Sequence, residues 1–255
     1  MNRLQNIIHR LLPIALFLLG GSTASLAQVG EYRNEIALGL NGGYTMSNVG
    51  FNPDIPQTNL GGMTAGITLR YTCEKYFKSI CALVAELNYT QMGWKEDLRN
   101  VDDMPVINPV TGMAEEYQRQ LGYLQLPVFA RLGWGREQKG FQFYFQAGPQ
   151  VGYLLTEKTK MNFNYADRNQ EERVGVQQLA PQDTMSVENK FDYGIAAGLG
   201  LEYSHPKVGH FLLEGRYYYG LGDLYGNSKR VFFGRSNNNC IVVKLTWLLD
   251  IKTTK

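Results

Sequence analysis

From about residue 34 to residue 250, apolar and polar residues alternate along the chain with a period of two. This period places successive side chains on opposite faces of a β-strand. Eight segments show the pattern, beginning near residues 36, 63, 81, 124, 141, 191, 211 and 241. Because no helix-period pattern of useful length lies between them, the alternation predicts an all-β protein with eight strands.

The two faces of these strands differ completely in chemistry. One face has 48 positions, and none has a charged group, an amide or a hydroxyl other than that of Tyr. A soluble sandwich alternates too, but its strands usually have about 5–6 residues. Segments of about 10 residues with a wholly apolar face are typical of transmembrane barrels. Since an open sheet in lipid leaves unpaired edge groups, we predict a closed, antiparallel, up-and-down transmembrane β-barrel.

The gaps between the segments are alternately long and short. Long gaps lie at 47–60, 95–118, 156–190 and 223–237, and short gaps lie at 74–79, 135–140 and 204–209. Small outer-membrane barrels have short periplasmic turns and long extracellular loops, so the long gaps are assigned to the extracellular side. The third long gap has the length for a binding role or for a hairpin extension, in which residues 161–165 could continue the barrel as a raised strand.

Aromatic residues concentrate at both ends of the predicted strands, which predicts two girdles at the membrane surfaces. The periplasmic girdle consists of Tyr71, Trp134, Phe141, Tyr203, Phe211 and Trp247. The outer girdle consists of Tyr44, Tyr89, Tyr153, Phe191, Tyr193 and Tyr219.

Four acidic and four basic residues fall on the inward face: Arg70, Glu86, Arg131, Asp192, Glu202, Glu214, Arg216 and Lys244. An eight-stranded barrel has an interior that side chains can fill. Because an unpaired buried charge is costly, we expect a salt-bridge network that plugs the lumen. The alternative is that these residues line a narrow conduit for small ions.

Residues 1–27 have the pattern of a Sec-type signal peptide: a basic start, a nine-residue apolar run and small residues before Gln28. The prediction is a signal peptide at 1–27 and a barrel domain at 28–255. The leader contains two Arg and no acidic residue, which leaves 23 basic and 23 acidic residues. This balance excludes nucleic-acid binding that is driven by a net positive charge.

Export permits disulfides, and Cys73 and Cys81 flank the first short turn. They form either a disulfide across neighbouring strands or two small apolar side chains at the rim.

The candidate chemistry is otherwise sparse. His205 and His210 lie at a short turn, where we expect their side chains to be exposed to solvent, and no His lies near the outer leaflet. The acidic loop 95–118 could hold Ca²⁺ or a basic partner, or be a solvated loop. We assign no catalytic, cofactor or metal residues and expect no enzyme.

Several motifs resemble the PorT-like "porin family" barrels of the Bacteroidota. They span Gly39–Val49, Glu86–Tyr89, Tyr123–Val128, Phe145–Tyr153, Asp192–Gly200 and Glu214–Leu221. The resemblance implies an eight-stranded outer-membrane barrel, and in some members a role in type IX secretion. Such barrels commonly end on an aromatic residue, and the chain departs from this pattern because Trp247 and Leu249 are followed by residues 250–255.

We therefore expect a structural or interaction scaffold in the outer membrane, with a secretion-accessory role open. A narrow solute channel is the alternative, and a barrel enzyme is less favoured. The expected partners are outer-membrane lipid, the barrel-assembly machinery during insertion, and a secretion or extracellular protein.

Overall fold

A computed structural model describes residues 30–136, 139–179, 185–226 and 232–253. The predicted signal peptide, residues 1–27, lies outside the described residues. The strands are β1 Glu31–Asn52, β2 Gln57–Tyr76, β3 Ser79–Glu96, β4 Tyr117–Gly135, β5 Gly140–Met161, β6 Phe191–His205, β7 Gly209–Gly220 and β8 Arg235–Lys252. One short helix in the described part, α1, spans Val176–Leu179.

The eight strands form one closed ring in which each strand pairs antiparallel with its sequence neighbour. β1 closes the ring against β8, for example through the pair Leu40–Trp247. The prediction of an eight-stranded antiparallel barrel is confirmed. One end, the short-turn end, has the turns after β2, β4 and β6, and the other, the loop end, has the long connections.

The two faces of the strands lie as the alternation predicts. Outward apolar side chains such as Leu40, Ile67, Leu199 and Leu245 are exposed on the barrel exterior. The inward polar side chains, including Gln146, are buried. The apolar face is therefore the exterior, which is the reverse of a soluble protein and fits a lipid environment.

Inward glycines make room for large neighbours at two levels of the barrel. A Cβ at Gly194 would lie 2.8 Å from the ring of Tyr218, and a Cβ at Gly200 would collide with the ring of Tyr144. Both tyrosines are fully buried inside the barrel. The small residues thus allow aromatic rings to fill the lumen.

At the loop end the strands run farther than the pattern predicted. A transmembrane strand needs about 9–11 residues, whereas β1 and β5 each have 22. Most of the predicted loop 47–60 is strand, since β1 ends at Asn52 and β2 begins at Gln57. The raised strand at 161–165 was wrong, because β5 ends at Met161 and the following residues bend away.

The extended strand ends enclose an apolar core that the loops cover. It includes Phe51, Trp94, Val106, Leu121 and Tyr225, all buried. Within it, the rings of Phe51 and Trp94 meet edge to face at 5.4 Å. The alternation pattern did not indicate this core, because its members come from loops and from the inward face of strand ends. Among the described residues, no helix is long and apolar enough to cross a membrane.

Candidate functional site: a closed lumen and an outer loop surface

A first group of charges, the Glu86 cluster, lies in the middle of the barrel and comprises Glu86, Glu214, Arg216 and Lys244. Arg216 donates two hydrogen bonds to the Glu86 carboxylate, at 3.0 and 2.9 Å, and one from Nε to Glu214 at 2.7 Å. Lys244 forms a further ion pair with Glu86. All four side chains are at least 96% buried. The cluster therefore joins β3, β7 and β8 across the lumen.

A second group, the Glu202 cluster, lies nearer the short-turn end and comprises Glu202, Arg70, Arg131, His210 and Asp250. Glu202 accepts a hydrogen bond from Arg70 at 2.8 Å and pairs with Arg131 and His210. His210 also contacts Asp250 at 3.0 Å. This group connects β2, β4, β6, β7 and β8 below the Glu86 cluster.

Aromatic rings link the two clusters and fill the space between them. The guanidinium of Arg131 lies 3.7 Å from the centre of the Tyr144 ring. The Tyr144 hydroxyl donates to Glu214 at 3.1 Å, and Arg216 lies 4.3 Å over Phe129. The described side chains therefore form a continuous packed column in the middle of the lumen.

Asp192 differs from the other seven predicted lumen charges. Its carboxylate accepts a hydrogen bond from the Tyr218 hydroxyl at 2.8 Å, and no ion pair to it occurs among the described residues. It lies beside the apolar core at the loop end, whereas the other seven belong to the two clusters. The structure thus places seven of the eight inward charges in the two ion-pair clusters and Asp192 outside them.

His210 was missed as a lumen residue, because its place at a short turn suggested solvent. The structure buries it, with Ser204 Oγ 2.8 Å from Nδ1 and Asp250 on Nε2. This arrangement resembles a serine hydrolase triad, but Nδ1 also lies 2.7 Å from Glu202. Because a carboxylate faces each ring nitrogen, we assign the imidazole as a donor at both. It then has no lone pair to accept the Ser204 proton, so the group has a structural role.

A cavity of about 280 Å³ opens at the short-turn end. Its lining includes Arg70, Arg131 and Glu202, where the packed column begins. Arg70 Nε is buried in this lining and has no hydrogen-bond partner among the described residues. The cavity is a vestibule that stops at the Glu202 cluster.

The cysteine pair is not bonded in the structure, where Cys73 and Cys81 both have free thiols. The strand register is consistent with the second of the two alternatives, two small side chains at the rim. A bulge after Thr72 leaves Cys73 unpaired, and Glu74 is the residue opposite Cys81. A disulfide between directly paired positions would need an unbroken register between β2 and β3, which the bulge interrupts.

The twelve predicted girdle residues all have outward, half-buried or exposed side chains. At the short-turn end, Phe141 packs on Tyr203 at 5.0 Å and Phe211 stacks on Trp247 at 6.4 Å. At the loop end, Tyr89, Leu124, Tyr153 and Phe191 occupy one row of directly paired positions. The rows lie where a membrane surface would meet the barrel.

The loops at the outer mouth are packed against each other. Arg173 contacts Glu115 at 2.8 Å, and both side chains are almost completely buried. Asn108 donates to the same carboxylate at 3.1 Å and to the carbonyl of Asp167 at 2.9 Å. The loop 97–116 is thereby fixed to the loop after β5. Glu115 is thus a structural residue, which departs from the prediction of a solvated or cation-binding acidic loop.

Arg119 connects the loop core to the strands. It donates to the Tyr225 hydroxyl at 3.1 Å and lies 3.4 Å from Glu157. Its guanidinium also lies 5.5 Å from the centre of the Trp94 ring. Burial raises the pKa of Tyr225 above its usual range, so its phenol stays protonated and can serve this contact.

The outer surface of loop 97–116 exposes five large apolar side chains: Val101, Met104, Ile107, Val110 and Met113, from 44% to 85% exposed. Asp102 and Asp103 are exposed beside them. Since these residues lie outside the strands, lipid contact along the barrel wall does not account for their exposure.

A family model described as "Outer membrane protein beta-barrel domain" matches residues 26–226. The chain belongs to this family. It is accordingly a protein of the outer membrane. The family description does not separate PorT-like members from other barrels, so the PorT-like resemblance stays a prediction.

A search of solved structures finds similarity to three outer-membrane proteins. Ail, the attachment invasion locus protein of Yersinia pestis, is 14% identical, with 84% of this chain and 99% of Ail covered and a TM-score of 0.34. Neisserial surface protein A is 9% identical, with 83% and 96% covered and a TM-score of 0.37. OprG of Pseudomonas aeruginosa is 10% identical, with 86% and 98% covered and a TM-score of 0.34. A search of curated proteins gives no match.

Proposed function

We propose that this outer-membrane barrel is a non-enzymatic scaffold that binds an extracellular protein through loop 97–116. The observation that supports the proposal is the exposed apolar surface of that loop, held in place by the buried Arg173–Glu115 pair. A fixed loop loses little conformational entropy on binding, and large exposed apolar groups are frequent at protein interfaces. Asp102 and Asp103 favour a partner with basic residues around an apolar centre.

The packed lumen supports a scaffold over a channel. Two ion-pair clusters and the loop core lie in series along the barrel axis. A solute would have to break several buried charge-assisted contacts to pass. The type IX secretion role that the resemblance implies has no support from the matched family or the similar structures, and it is not part of the proposal.

Site-specific photo-crosslinking on intact cells tests the scaffold. A photoreactive residue at position 104 is compared with the same residue at position 77, an exposed site (79%) on the first short turn. We expect one crosslinked protein from position 104, and its loss when Val101 and Val110 are changed to Ser. Crosslinks from position 77 alone would instead indicate a periplasmic partner, and none from position 104 would refute the proposal.

The second candidate is a narrow channel, which the vestibule at the short-turn end favours. Conductance of the purified barrel in a planar bilayer decides between the two. We expect no steps above a control with detergent alone. Reproducible steps in the unchanged protein would show that the packed column opens.

A further inference from the structure

Beyond the outer girdle, β3, β4 and β5 continue and present a basic strand face to the outside. This face consists of Lys95, Gln118, Gln120, Lys158 and Lys160. The strand register pairs Gln120 with Lys158, and it places Lys95, Gln118 and Lys160 in one row. Lys158 and Lys160 are exposed, and Lys95 is 37% exposed. On β4, Arg119 lies between the two glutamines and is buried, so Gln118 and Gln120 lie on the outward side with the lysines.

The charge of this patch is only partly balanced. Lys95 lies 3.3 Å from the exposed carboxylate of Glu116. Glu157 pairs with Arg119 at 3.4 Å, and its side chain is 29% exposed. Within the described part of the chain, neither Lys158 nor Lys160 forms a salt bridge. Two lysines therefore keep a charge that an external anion can pair with.

On the opposite side of the barrel, the outward strand ends carry mainly amides, and the exposed Arg235 there donates to the Tyr219 hydroxyl. Asn48 donates to Asn59 at 2.9 Å and accepts from Asn239 at 3.4 Å, and Asn237 donates to Asn239 at 3.1 Å. These amides satisfy one another in a ladder along β8, β1 and β2. The lysines thus gather on one side of the barrel and do not form an even ring.

The basic strand face begins at the height of the outer-leaflet headgroups. Lys158 lies five residues beyond Tyr153, and Lys160 lies seven residues beyond it in the same row as Lys95. At about 3.3 Å per residue and a tilt of about 40°, the separation along the barrel axis is about 13 Å for Lys158 and about 18 Å for Lys160. Headgroups occupy about 5–8 Å on each side of the hydrocarbon, and a lysine chain of about 6 Å lets Lys158 reach back to them. The ammonium groups of the higher row end within about 8 Å of the headgroups, which is one Debye length at physiological salt, so they add to the attraction.

We propose that the basic strand face binds the phosphate groups of outer-leaflet lipids. Lys158 and Lys160 supply the charge, Lys95 joins them from β3, and Gln118 and Gln120 offer hydrogen bonds to headgroup oxygens. The site fixes one side of the barrel against phosphorylated lipid. It does not depend on a protein partner at loop 97–116, which is a different surface.

Native mass spectrometry of the full chain, titrated with bisphosphorylated lipid A in detergent, tests this site. We expect the Lys95→Gln, Lys158→Gln, Lys160→Gln triple variant to bind about tenfold more weakly, since each basic residue near an anionic surface contributes to binding. The matched control changes Lys78, Lys207 and Lys252 to Gln, which removes the same charge from the short-turn end. This control should bind lipid A as the unchanged protein does.

Two further measurements complete the test. Dephosphorylated lipid A should bind the unchanged protein as weakly as the triple variant binds lipid A. Inorganic phosphate at millimolar concentration should not displace the lipid. Equal lipid A binding by the triple variant and the unchanged protein would overturn the proposal, as would an equal loss in the control or displacement by free phosphate. All substituted side chains are at the surface, and an unchanged circular dichroism spectrum checks that each variant is folded.

Discussion

Removal of the Glu86 carboxylate is the sharpest test of the packed lumen. In Glu86→Ala, Arg216 loses two hydrogen bonds and keeps its contact with Glu214 at 2.7 Å. Lys244 is 99% buried, and among the described acidic groups it keeps only Glu214, at 4.0 Å from Nζ. Breaking a buried ion pair from one side costs about 3–5 kcal/mol, because the remaining charge stays desolvated without a partner. We expect Glu86→Ala to lower the free energy of unfolding by this amount.

The measurement is reversible urea unfolding of the barrel in detergent micelles, followed by tryptophan fluorescence. The matched control is the double variant Glu86→Ala, Lys244→Met. It removes one charge of each sign and leaves Glu214 paired with Arg216. Since apolar replacement of a whole buried ion pair is often close to neutral, we expect it to recover most of the lost stability.

Two results would refute the reasoning. A loss below about 1 kcal/mol in Glu86→Ala would mean that water enters the lumen and solvates Lys244. A double variant as unstable as the single variant would mean that the cost comes from a cavity and not from the orphaned charge.

Two other substitutions test the packing inside the barrel and at the loop end. Gly200→Val should destabilise the barrel by about 1–3 kcal/mol in the same urea assay, since the added atoms collide with the Tyr144 ring. The control Gly215→Ala should have little effect, because nothing lies within 4 Å of an added Cβ there. Equal losses of stability in the two variants would show that the collision with Tyr144 is not the cause. Arg173→Gln should leave Glu115 buried without its ion partner. We then expect external protease to cleave the outer loops faster, while the barrel keeps its resistance to denaturation in detergent. An unchanged cleavage rate would show that the pair does not hold the loops.

The alternation along the chain was sufficient to predict the barrel. One face of the strands has no charged position, and the opposite face has Glu86, Arg131 and Arg216. In lipid this pattern requires a closed barrel with the apolar face outward and the charged face in the lumen. Because the side-chain period of a strand is two, each of these residues was assigned to the lumen from its parity alone. The charged residues of the strand bodies were therefore predictable as lumen residues, whereas His210 and Asp250 of the Glu202 cluster were not.

The partners within that set were not predictable. Arg70 contacts Glu202, which is 132 residues away in sequence, and the pairing depends on the stagger of the strands around the ring. The alternation shows which face of its strand each residue lies on, but it does not show how far neighbouring strands are offset along the barrel axis. It therefore cannot predict which inward charges lie at the same height in the barrel. The same limit applies at Cys73, where a single bulge changes the residue opposite Cys81.

The sequence by itself determined the strand number, the lipid-facing surface and the polar lumen, because these follow from local periodicity and from the cost of unpaired groups in lipid. The tertiary structure decided the closure of the outer mouth. Trp94, Val106 and Tyr225 come from separate segments and are buried together only when the loops fold over the extended strands. It also decided the role of His210, whose place at a turn suggested solvent and whose neighbours across the ring bury it. Both depend on contacts between residues distant in sequence, which no local pattern records.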